Sequence, residues 1–250
     1  IPTDPVNGID IKQFEILMKK HDIKACIFVP NFNNPLGSLI PDENKKKICE
    51  LIKEKNTYII ESDVYSDLYF NNHRPKPLKY FDTNDLVITC SSLSKTLSAG
   101  MRIGWMINKK LSKQIQKLQF VNSISAPTLT QISSYYYLKD HTHERFLKTL
   151  RKQLKNQYFE LKNMILTNFN KKVKMSEPQG GFLLWVELEH NINSLKVYQE
   201  CLANKISIIP STICYASEKF QNYIRLSYAY SNRNEYEKNL KILAKIINDF

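Results

Sequence analysis

The sequence predicts an α/β chain, with a mostly parallel sheet followed by a smaller α+β part. Short strand-like runs rich in β-branched and aromatic residues alternate with amphipathic helical stretches over the first part of the chain. Several of those runs end in polar clusters, as strands do where an open parallel sheet presents its ligand-binding edge. The last third changes rhythm and mixes strands with helices.

Residues 9–21 place Ile11, Phe14, Leu17 and Met18 at helical spacing and lead to a strand at Ala25–Val29. Pro41-Asp42-Glu43 opens a second helix to about Lys55, with acids in the first turn where the helix dipole favours them. Tyr58-Ile59-Ile60 reads as a buried strand ending in Glu61-Ser62-Asp63. Leu86–Cys90 is another, ending in Ser91-Ser92, and Arg102–Ile107 is a further candidate. After about residue 109 the pattern is helical. Leu147, Leu150, Leu154, Tyr158, Leu161 and Ile165 recur at steps of three and four, marking the apolar stripe of one long helix. Strands at Phe182–Val186, Ile206–Ile209 and Tyr223–Leu226, with helices around 194–204 and 233–249, complete the chain. The expected division is 1–140 for the α/β part and 141–250 for the smaller part, joined through the long helix.

Composition narrows the function classes. At 42% hydrophobic and 24% charged, the 250 residues suit one or two packed domains. No apolar run spans a bilayer, and no secretory leader follows Ile1, so a cytoplasmic protein is expected. A chain opening on Ile1 also reads as part of something longer. The five cysteines are scattered without C-x-x-C spacing, which favours reduced thiols over a disulfide framework or a metal site. The net charge of +12 raises nucleic acid as a partner, but lysines outnumber arginines 30 to 6. Between Lys139 and Lys174, ten Lys/Arg face three Asp/Glu on what reads as the wet side of the long helix. No nucleic-acid site is expected within these residues.

Four clusters carry chemistry, and each has an ordinary reading when taken alone. Asn33-Asn34-Pro35-Leu36-Gly37 is a turn after a strand. Asp63-Val64-Tyr65 puts a carboxylate and a phenol just past a strand's end, which could equally be a solvated loop. In Ser91-Ser92-Leu93-Ser94-Lys95, a lysine sits in a hydroxyl-rich loop with Arg102 seven residues on. Hydroxyls and an arginine suit a phosphate, and a lysine in a partly dry site can attack a carbonyl; in isolation it is one exposed lysine among many. Tyr223-Ile224-Arg225-Leu226-Ser227 sets an arginine among apolar strand residues, where an anionic partner is expected.

In this order, and with Glu177-Pro178-Gln179-Gly180-Gly181-Phe182, these residues resemble the class I/II aminotransferases, pyridoxal-phosphate (PLP) enzymes of fold type I. The resemblance implies Lys95 as the Schiff-base lysine and proton shuttle, and Asp63 as the partner of the pyridine nitrogen. It implies Asn34 and Tyr65 on the ring's phenolic oxygen, Ser92, Ser94 and Arg102 on the phosphate, and Arg225 on the substrate carboxylate. The implied substrate is an amino acid or related amine, and the implied assembly is a homodimer. Val29-Pro30-Asn31-Phe32-Asn33-Asn34-Pro35-Leu36-Gly37, Asp63-x-Tyr65 and Tyr69-Phe70 … Arg74-Pro75 … Leu78 further resemble the aminotransferase-like half of MocR-type GntR-family regulators. That branch implies an alternative, a cofactor- or effector-sensing domain with a winged helix upstream. The family's early portion is not represented, including its small-residue phosphate loop and the aromatic that stacks on the ring. These residues alone are therefore expected to fold loosely and bind the cofactor weakly. Ser62, Ala99, Ser211 and Cys214 depart from the family's usual residues, the last two on the substrate side.

Overall fold

The computed structural model describes residues 1–139, 142–170, 172–215 and 220–250. A short hairpin, β1 (Thr3–Asp4) and β2 (Gly8–Ile9), precedes α1 (Ile11–Lys20). Asp10 caps α1 by accepting from the amides of Lys12 and Gln13 at 2.9 and 3.1 Å. There follow β3 (Ala25–Phe28), α2 (Asp42–Lys55), β4 (Tyr58–Ser62), β5 (Val87–Ser92) and β6 (Gly104–Ile107). These strands form one sheet in the order β3-β4-β5-β6. β3, β4 and β5 run parallel. Helices α1 and α2 cover one face of this sheet, where Phe14, Met18, Ile48 and Ile52 pack on Phe28, Ile59 and Val87. Each fully buried aliphatic side chain there contributes about 1.5–3 kcal/mol.

The candidate strand at Arg102–Ile107 turns out antiparallel. β6 pairs with β5 through Thr89↔Ile107 and Ser92↔Gly104. The connection between them holds a tight loop and no crossover helix, and a parallel return needs a crossover of a dozen or more residues. β3 and β6 are also less buried than expected: Ile27 is 74% exposed and Ile107 53%. The two helices that follow β6 are exposed too. Helix α3 (Ser112–Ser123) buries none of its residues, and α4 (Thr128–Lys139) buries Ser134 alone.

Helix α5 (Thr142–Asn168) buries Leu147, Leu154, Tyr158, Leu161 and Ile165 of the expected stripe, and leaves Lys148, Lys152 and Lys155 in water. The expected division falls at Asp140 and His141, which lie outside the described residues. The second sheet is wholly antiparallel, in the order β7 (Lys174–Met175), β8 (Leu183–Glu187), β10 (Tyr223–Ser227), β9 (Ile209–Pro210). Together with α5, α6 (Ser194–Ala203) and α7 (Arg233–Asn248) it encloses a second core around Leu184, Val186, Ile224, Tyr228 and Leu243. The strand expected over Ile206–Ile209 shrinks to Ile209–Pro210 at the sheet's edge, where a proline's missing donor is tolerated.

All five cysteines are free; Cys49 and Cys201 are buried. Burial pushes their thiols up to about 12 and about 11, which suits packing residues rather than nucleophiles. No helix among the described residues is long and apolar enough to cross a membrane.

Candidate active site

The carboxyl ends of three parallel strands meet at one edge of the first sheet, the place where open α/β sheets bind ligands. β3 leads to the Asn33–Gly37 turn, β4 to Asp63 and Tyr65, and β5 to the loop that carries Lys95. Pairing alone aligns two of these ends, since the Asp63 amide donates to the Cys90 carbonyl at 2.8 Å. Ser91 Oγ then donates to the Asp63 carbonyl at 3.1 Å.

The Asn33–Gly37 turn is closed by the Gly37 amide donating to the Asn33 carbonyl at 2.6 Å. Gly37 adopts φ +74°, and a Cβ there would lie 3.0 Å from Pro178 Cβ, so the turn packs directly on the strand-entry segment of the second sheet. Gly180 in that segment fits for the same steric reason: a Cβ would lie 2.5 Å from the Phe32 ring and 2.7 Å from the Leu68 carbonyl. The amides of Phe70 and Gly181 donate to the carbonyls of Gln179 and Leu68, both at 2.9 Å, stitching the segment after β4 to the second sheet.

This docking brings together residues remote in sequence. Arg225 Nη1, on β10, donates to Asn34 Oδ1 at 2.6 Å. Burial pushes the Tyr65 hydroxyl up, against the pull of its hydrogen bond with Asn34 and of the Arg225 charge. Tyr65 meets Phe182 edge-on at 5.7 Å between ring centroids, and Lys95 Nζ lies 6.0 Å from that same ring's centroid. Arg225 forms no ion pair among the described residues.

The β5 loop is folded around one backbone atom. The amides of Thr96, Leu97 and Ser98 all donate to the Leu93 carbonyl, at 3.3, 2.8 and 3.2 Å. The Leu93 amide donates to the Ile103 carbonyl at 3.1 Å, returning Arg102 to the Ser92–Ser94 turn. Arg102 takes a left-handed φ of 54° and donates to the Ala99 carbonyl at 3.3 Å. Ser92 Oγ accepts from the Ser94 amide at 3.3 Å. Lys95 and Arg102 are exposed and make no ion pair among the described residues.

Asp63 is the opposite case, 3% exposed and fully engaged. Its Oδ1 accepts from Asn31 Nδ2 at 3.0 Å and from the Ser66 hydroxyl. Its Oδ2 accepts from Arg74 Nη2 at 2.6 Å. Asn31 Oδ1 accepts in turn from Lys45 Nζ at 2.7 Å, and that lysine is completely buried. Burial lowers Lys45 to about 8. Asn31 and Arg74 stand in the motifs quoted above without assigned roles, and Lys45 and Ser66 were missed. The signal for Lys45 is its spacing, since 45, 48, 49 and 52 form the buried stripe of α2.

The model of the aminotransferases of class I and II matches residues 1–243. The chain belongs to that family. Curated relatives include the uncharacterized HTH-type transcriptional regulator YdcR of Escherichia coli (strain K12), 31% identical over all of this chain and 53% of its own length. Another is the HTH-type transcriptional regulator NorG of Staphylococcus aureus (strain USA300), 31% identical over 94% of this chain and 52% of its own. The chain thus spans about half the length of these relatives. Among solved structures, the kynurenine aminotransferase of Pyrococcus horikoshii superposes with a TM-score of 0.91 at 25% identity, over 100% of this chain and 63% of that one. The α-aminoadipate aminotransferase of Thermus thermophilus gives 0.90 at 24% identity, over 100% and 64%. The family's fold type I is therefore the fold of this chain, over about 63% of the length of those structures.

Proposed function

We propose that this chain is the catalytic portion of a PLP-dependent aminotransferase acting on an amino acid or related amine. One observation carries the reading: Arg225 and Asn34, 191 positions apart, meet at 2.6 Å beside Tyr65. A carboxylate clamp next to an amide and a phenol suits an amino acid held over a pyridoxyl ring. The donor set fits the cofactor: an amine without an acidic partner among the described residues, two serines with an arginine for a phosphate, and a buried carboxylate for a ring nitrogen. When bound, the cofactor supplies an electron sink for the carbanion formed at the substrate Cα. Lys95 anchors it covalently and moves the Cα proton, Asp63 holds the pyridine nitrogen, and Asn34 and Tyr65 hold the phenolic oxygen. Ser92, Ser94 and Arg102 hold the phosphate, and Arg225 aims the substrate by its carboxylate. Residues 1–140 are taken as the large-domain part and 141–250 as the small domain, in a whole protein that dimerises.

Spectroscopy of the whole protein tests this. PLP should produce a visible band and a borohydride-reducible link, and Lys95→Ala should abolish the link while leaving weaker noncovalent binding. Arg225→Lys should raise the amine concentration required about tenfold or more, with little change in PLP affinity. A whole protein that never takes up PLP ends the reading. A second reading is favoured by the relatives, which are HTH-type regulators about twice as long as this chain. In it, the same site senses PLP or an amine and governs a DNA-binding domain elsewhere in the polypeptide. PLP uptake without measurable amino transfer, together with amine-dependent DNA binding by the whole protein, selects it.

A further inference from the structure

Asp63 is pinned on both oxygens by side chains that the proposed reaction does not use. A carboxylate turns easily about its last torsion, and its two oxygens offer about four acceptor positions. Asn31 and Ser66 hold Oδ1. Arg74 holds Oδ2 at 2.6 Å and reaches Asp67 Oδ1 with its Nε at 2.7 Å, so one planar fork bridges two carboxylates. The loop that presents Arg74 is itself anchored: the Lys76 carbonyl accepts from Lys45 Nζ at 2.7 Å and from Asn31 Nδ2 at 3.3 Å. The far side of the bridge is braced as well. Arg151 on α5 donates to the Asp67 carbonyl at 3.2 Å and lies 4.3 Å from the Tyr69 ring centroid.

We propose that Arg74 is a positioning residue for the cofactor's ring: by holding Oδ2 of Asp63 it sets the angle at which that carboxylate meets the pyridine nitrogen. This rests on the reading of the site as a PLP site. Geometry argues for orientation beyond charge neutralisation. Lys45 already lies behind Asn31, whereas Arg74 fixes the plane of the carboxylate, leaving Oδ2 one acceptor position. A guanidinium can hold that plane between two acids; an ammonium can satisfy either acid but cannot bridge them in the same way.

A cofactor without the ring nitrogen separates this role from a structural one. Dissociation constants of PLP and 1-deazapyridoxal 5′-phosphate would be measured by absorbance titration of the whole protein and its variants. Arg74→Gln should weaken PLP about tenfold, the size of one charge-assisted hydrogen bond, and the deaza compound less than about twofold. Arg74→Lys should not rescue the loss. Asp67→Ala leaves Asp63 and Arg74 in place but removes the far anchor of the fork, and should weaken PLP about threefold with the same selectivity. Equal losses for both compounds in both variants, or PLP affinity unchanged in both, overturn the proposal. Full rescue by Arg74→Lys also overturns it, because charge alone would then suffice. Wild-type protein that binds neither compound overturns the PLP reading and this proposal with it; wild type that binds both while the variants show no selectivity overturns this proposal alone.

Discussion

The two polar corners of the site are built on opposite plans. Around Asp63, side chains from β3's exit and the β4–β5 loop engage both oxygens of one buried carboxylate, and Lys45 of α2 holds Asn31 from behind. Around Lys95, the backbone is tightly wound but Lys95 and Arg102 are exposed, with no ion pair among the described residues. The first corner is organised by the chain itself. Preorganisation of this kind costs stability wherever a polar group is buried, and it offsets that cost only through complete hydrogen bonding.

Substitutions should therefore divide by corner, and urea unfolding of the cofactor-free protein measures the division. The largest effect is expected for Asp63→Ala, which leaves Asn31, Ser66 and Arg74 without their shared acceptor; a loss of about 3 kcal/mol follows from stranding buried donors. Next comes Lys45→Met, at about 2 kcal/mol, because Asn31 Oδ1 loses its donor and the Lys76 carbonyl the nearer of its two. This variant also has a pH signature. Burial lowers Lys45 from the ordinary 10.5 to about 8, so between those values the unfolded chain binds more protons and Lys45 makes stability rise with pH. Wild-type stability minus that of Lys45→Met should climb across that interval and be flat below it; a flat difference throughout would show that Lys45 is not desolvated.

Gly37→Ala tests the seam between the two sheets. It forces a side chain into φ +74° against Pro178 and should cost about 1 kcal/mol, with loss of the Arg225–Asn34 contact visible in weaker amine binding. The smallest effects belong to the second corner: Lys95→Ala and Ser94→Ala should change stability by less than about 0.5 kcal/mol. Should Lys95→Ala destabilise the protein as much as Asp63→Ala, the contrast between the corners would collapse.

Much of this was legible in the chain. Helical spacing located α1, α2 and α5, because an apolar stripe has one way to be buried. Polar clusters after β-rich runs located the ligand edge, since parallel strands all deliver their carboxyl ends to one side. Lys95, Asp63 and Arg225 each had an ordinary reading alone and were singled out through the resemblance of the combined clusters to a known family.

Partnerships were not legible in that way. The Arg225–Asn34 contact, the clasp of Arg74 on Asp63 and the buried place of Lys45 all join segments whose separation in sequence carries no information about distance. The direction of β6 was set by the length and folding of the loop before it, and the shortness of β9 by an edge position that tolerates Pro210. Local pattern, repeated every two or every 3.6 residues, determined which elements form and which face each buries. Which charge meets which was decided by tertiary packing, around the first sheet for Asp63 and across the two sheets for Arg225, because a buried ionic group is tolerated only where distant parts of the chain supply its partners.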